Sequence, residues 1–128
     1  MEQQYWELFE TKVRLLTERQ QRIIAYQFCL LVETDLDDLG KGALMLVQQL
    51  TSDQFLSEEC ASYREQLQEK LPDEGTSLYS PLIWALMPNT DSYPVWYSTA
   101  IVGGNIVDLG VSSFMELTDL TEKILSGV

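Results

Sequence analysis

The chain has 128 residues, with 20 acidic side chains against 8 basic ones, no histidine and 45% hydrophobic residues. That length suits one domain with a real core, 1–128, and the apolar content excludes a disordered chain. The net charge of -12 disfavours nucleic acid and anionic membrane as partners, whose phosphates would be repelled, and favours a basic partner or plain solubility.

Residues 2–16 read as a first helix, because Trp6, Phe9, Val13 and Leu16 step by three and four along one face, with Tyr5 and Leu8 expected to widen that stripe. Thr17-Glu-Arg-Gln20 has the form of a capping box, in which threonine and glutamine satisfy each other's backbone N–H. A second helix is expected over about 18–33, with Ile23, Ile24, Gln27, Phe28 and Leu31 on its inner side. Thr34 with Asp37 predicts the start of a third helix carrying Leu39, Ala43, Leu46, Val47 and Leu50. Thr51-Ser-Asp-Gln54 resembles another helix start. The fourth helix follows with Leu56, Cys60, Tyr63, Leu67 and Leu71 inside, and Glu58, Glu59, Arg64, Glu65, Gln68 and Glu69 solvated. Pro72 to Gly75 ends it. Ser80-Pro81 predicts a short helix stopped by Pro88.

Tyr93 to Leu117 is the longest apolar run, with Asp108 and Glu116 its only charges. Trp96, Ala100, Gly103, Val107, Gly110, Phe114 and Leu117 share one helical face. The run therefore reads as a central helix near 94–117, followed by a last helix capped at Thr118-Asp119. The alternative is a β-hairpin at 95–111, turning at Gly103-Gly104-Asn105. The helix is favoured, because neither arm alternates between apolar and polar residues. The expected fold is an all-α bundle of six or seven helices around that central helix, with an α+β fold as the alternative.

Chemistry has little to build on. Without histidine, neither a Ser-His-Asp nor a Cys-His arrangement can form within the chain. Neither a phosphate-cradling GxxxxGK[ST] loop nor GxGxxG occurs. Cys29 and Cys60 stand alone on apolar faces and read as reduced core thiols. Glu33, Asp35, Asp37 and Asp38 fail as a calcium loop, since its sixth position is Asp38 and its twelfth Leu44. Glu7 with Glu10, and Asp35 with Asp38, have an i, i+3 spacing, but such pairs arise by chance in any acidic helical chain, and a metal-dependent nucleotide hydrolase, the rival enzyme reading, usually needs its acids on facing buried helices. No metal and no cofactor is expected. The N-terminus lacks a basic-then-apolar leader and no apolar run is long enough to span a membrane, so a cytoplasmic protein is expected.

Charge is unevenly placed. Residues 1–32 hold four acids and four bases, whereas residues 33–75 hold 11 acids and three bases. Glu33, Asp35, Asp37, Asp38, Asp53, Glu58 and Glu59 are the candidate partner-binding residues, forming one negative surface if the third and fourth helices are neighbours. The plain alternative is a solvated face. The segments YSPLIWAL (79–86) and VWYSTAIVGGNIVDLGV (95–111), on a small acidic chain free of histidine, resemble core helices of the bacterial immunity proteins that neutralise polymorphic or contact-dependent toxins. That resemblance implies binding and blocking a toxin, often a basic nuclease, through acidic surface residues. An inhibitor that mimics the charge of DNA is a second binding alternative.

Overall fold

The computed structural model describes residues 2–52 and 55–127. Among them the chain forms α1 (Glu2–Arg14), α2 (Glu18–Leu30), a 3₁₀ turn at Glu33–Asp35, α3 (Asp38–Gln49), α4 (Ser57–Glu69), α5 (Tyr79–Ala85), α6 (Val95–Asp108) and α7 (Phe114–Ser126), and no strand. The fold is an all-α bundle built on α6. Helices α1, α2, α5 and α7 pack on it, while α3 and α4 join through α2 and α5. Every helix contributes buried apolar side chains to one core.

Local chemistry sets most helix ends. The capping box forms: Gln20 N–H donates to Thr17 Oγ1 at 3.2 Å, and Thr17 N–H donates to Gln20 Oε1 at 2.9 Å. Next to it, buried Gln21 donates from Nε2 to the carbonyls of Val13 and Leu16, each at 3.0 Å, and ties the end of α1 to α2. The helix expected from Thr34 begins later. Glu33–Asp35 is a 3₁₀ turn and Asp37 is the N-cap of α3. Thr51 and Ser52 close α3 instead of opening α4, their hydroxyls donating back to the carbonyls of Gln48 (2.7 Å) and Gln49 (3.5 Å). In α5 the first residue is Tyr79, so Pro81 sits in the third position.

The central helix is shorter than expected, and the hairpin alternative is wrong. Gly103, Gly104 and Asn105 are helical, but α6 stops at Asp108. Gly110 has φ +76°. Its N–H donates to Val107 at 2.9 Å, and Val111 N–H donates to Ile106 at 3.2 Å. This paired closure needs a left-handed residue that glycine supplies without strain. Ser113 then caps α7 by accepting the Glu116 N–H at 3.2 Å. Thr118 lies inside α7, its hydroxyl donating to the Phe114 carbonyl at 2.8 Å. Phe114 and Leu117 therefore belong to α7, not to the face of Trp96 and Val107. Those two and Phe114 are half-buried, whereas Leu117 is fully buried.

Two arginines reach the end of α5, where backbone carbonyls run out of helical partners. Arg64 Nη1 donates to Leu86 O at 2.8 Å. Arg22 makes longer contacts, 3.4 Å, to Met87 O and lies 4.9 Å over the Phe55 ring. Arg64, expected in the solvated face of α4, is half-buried.

Candidate partner-binding face

The acidic segment begins where the chain leaves α2. Leu36 is buried, and extended backbone at 36 and 37 carries the chain into α3. One Asp37 carboxylate oxygen accepts the Gly40 N–H at 2.9 Å, and the other accepts the Tyr79 hydroxyl from α5. The Tyr79 hydrogen bond, then that of Gly40, holds the Asp37 carboxyl below its usual range. The same bond pushes the Tyr79 hydroxyl up. Asp37, a candidate docking residue, thus fastens α3 to α5.

Helices α3 and α4 are neighbours and run in opposite senses. Gly42 early in α3 faces Tyr63 midway along α4, and Lys70 at the end of α4 lies near Asp37. This sense divides the candidate residues. Glu33, Asp35, Asp37 and Asp38 lie at the start of α3, beside the end of α4. Glu58 and Glu59 lie in the first turn of α4, at the opposite end of the pair. Twelve residues of α3 separate the two ends by about 18 Å. Asp53 lies outside the described residues. The described carboxylates, Asp37 included, are exposed, and apart from Asp37 they hold no internal hydrogen bond among the described residues. None of them is ion-paired there, since the described ion pairs are Lys12–Glu122 and Arg22–Glu18. Asp35 is in the 3₁₀ turn and Asp38 in the helix, so their spacing does not place them on one helical face.

Beside the start of α3 is an open groove of about 330 Å³, lined by Tyr26, Glu33, Thr34, Lys41, Leu44 and Met45. Met45 is 66% exposed on its rim, and Leu31 nearby in the chain is 41% exposed. Helical period alone assigns Leu31 to the inner side of α2. It lies outside because α2 ends at Leu30 and the chain turns away. Met45 gave no sequence signal beyond its departure from the α3 stripe.

Both cysteine thiols are buried and unpaired. Burial raises the Cys29 thiol and pushes that of Cys60 up to about 11, although Arg64 and Arg22 oppose the second shift. Among the described residues, no three His, Cys, Asp or Glu side chains gather closely enough to hold a metal ion. No described helix is long and apolar enough to cross a membrane. Compared with family models, curated proteins and solved structures, the chain matches none. The functional reading therefore rests on charge and geometry.

Proposed function

We propose that this chain is a non-catalytic binding domain that neutralises a basic protein, in the manner of a bacterial immunity protein acting on a toxin domain. The observation that carries the reading is the start of α3, where Glu33, Asp35 and Asp38 are exposed and unpaired among the described residues beside the groove of Tyr26, Leu44 and Met45. Carboxylates that neither cap nor pair contribute little to folding. They do attract a basic surface and speed its approach. The Tyr26, Leu44 and Met45 side chains of the mixed groove beside them offer apolar surface that a partner can cover, the part of an interface that resists dissociation.

The test is co-expression with a candidate basic toxin domain, sought first among the products of neighbouring genes. Relief of toxicity and a one-to-one complex support the reading. Both should weaken in a variant with Glu33→Gln, Asp35→Asn and Asp38→Asn, whose association with the partner should be several-fold slower at low salt. A protected cell in which that variant works as well as the parent would assign protection to another surface. Retained toxicity with no complex would remove the neutralisation reading.

A further inference from the structure

Helix α1 carries two apolar stripes. Trp6, Phe9, Val13 and Leu16 face the bundle. Leu8, 60% exposed, lies on the outer side of α1, and Leu15, 82% exposed, lies seven residues on in the turn just past the end of that helix. Tyr5, Val111 and Met115 are also exposed, and Tyr5 and Met115 line one cleft with Val107 and Phe114. Exposed leucines met singly are ordinary, but a run of large apolar side chains across packed helices marks a contact surface.

Charge identifies the occupant. Residues 33–128 hold 16 acids and four bases, whereas residues 1–32 hold four of each. Helix α1 itself holds Glu2, Glu7 and Glu10 against Lys12 and Arg14, so two copies repel less through α1 than through most of their surfaces. The outer stripe is bordered by exposed Glu7 and Arg14, also a heptad apart and on one flank. A two-fold axis lying in the interface at Thr11 runs two α1 helices antiparallel and keeps each flank on its own side. Glu7 of each copy then faces Arg14 of the other, and the contact is self-complementary as such symmetry requires. Arg14 is already positioned, its guanidinium 4.3 Å over the Trp96 ring, with N–H edges left for a carboxylate.

We propose that the outer face of α1, with the adjoining start of α7, is the interface of a symmetric homodimer. Leu8 and Leu15 of each copy pack on those of the other, and Glu7 pairs with Arg14 across the axis. Helix α1 packs chiefly on α6 and α7, whereas α3 and α4 pack on α2 and α5. The dimer leaves the acidic ends of both copies open and makes the particle bivalent.

Sedimentation velocity of the full chain from about 10 μM to about 1 mM tests this, a range suited to an interface of one helix pair. The mass should rise from one chain to two. Leu15→Lys should raise the dissociation constant at least about tenfold and, at a concentration where the parent is monomeric, leave the melting temperature unchanged, because Leu15 is exposed. Glu7→Arg should weaken the dimer, and the double variant E7R/R14E should restore it. A chain that stays monomeric throughout, a dimer indifferent to Leu15→Lys, or a double variant no better than Glu7→Arg alone would each overturn the proposal.

Discussion

The ring of Phe9 occupies the space that a side chain on Gly103 would need. A Cβ built at 103 lies 2.6 Å from Phe9 Cζ. Phe9 is fully buried and held among the rings of Trp6, Phe28 and Phe114, so it has no room to swing aside. One turn of α6 is therefore fitted to an aromatic side chain of α1.

Two adjacent glycines should thus respond with opposite signs. Alanine is the better helix former by about 1 kcal/mol at either position. At Gly103 overpacking should outweigh that gain, and Gly103→Ala should destabilise by about 1–2 kcal/mol net. At Gly104 the nearest atom, Trp6 Cζ3, is at 3.5 Å, an ordinary contact. Gly104→Ala should stabilise by up to about 1 kcal/mol. Urea unfolding of both variants measures the difference, and equal shifts would refute the close fit at Phe9.

Arg64 should matter to stability more than its place on a polar helix face suggests. Arg64→Met keeps the aliphatic stem and removes the donor to Leu86 O. The carbonyl at the end of α5 then loses a charge-assisted bond, and the variant should be destabilised by about 1–2 kcal/mol. Glu65→Gln, its exposed neighbour, should change stability by less than about 0.5 kcal/mol. Thermal melts of the two single variants decide whether the arginine is a tie or a solvated charge.

The bond between Tyr79 and Asp37 should give stability a plateau with a slope at each end. Asp37 has its carboxyl lowered from the ordinary 3.8. Its contribution is complete above that value and is lost as pH falls from there through the folded-state value. Tyr79 has its hydroxyl raised from 10.0, so its contribution is complete below that value and is lost as pH rises through the folded-state value. Tyr79→Phe should remove the alkaline loss assigned to this bond and reduce the acid one. Asp37→Asn should flatten the acid slope while keeping a capping side chain. Unfolding midpoints from pH 2 to 11 give the test, and unaltered slopes in Tyr79→Phe would sink the assignment.

Some helix ends follow from local patterns in the sequence, as at Thr17, whereas the starts expected at Thr34, Thr51 and Thr118 do not form. Thr17 with Gln20 was legible because both partners of the box lie within four residues. Ser113 with Glu116 has the same form, yet the apolar face continuing through Phe114 and Leu117 masked it and the glycine stop at 110. Arg64 and Asp37 were misjudged for another reason. Their partners, Leu86 and Tyr79, lie 22 and 42 residues away, and no period reports such a bond. The acidic bias of 33–75 was legible by counting. Its division into two ends follows from the opposed senses of α3 and α4, which the short connection between them already implied.

That division makes the two acidic ends separable in solution. The screening length is about 10 Å at 0.1 M salt and about 3 Å at 1 M. The ends stand about 18 Å apart, so charges at one should barely act on a partner docked at the other. Neutralising Glu33, Asp35 and Asp38 should slow association with the basic partner several-fold at low salt, with little change in folding. Neutralising Glu58 and Glu59 should slow it much less. Asp37→Asn should cost stability in proportion to its ties to Gly40 and Tyr79 and affect association least of the α3 acids. The slowing should fade as salt rises, while Met45→Ala, at the groove, should speed dissociation with little salt dependence. Stopped-flow association against ionic strength compares the two sets directly. Equal slowing by both would mean that only net charge matters. No slowing by the first set would leave the α3 acids as a solvated surface and transfer the docking site elsewhere.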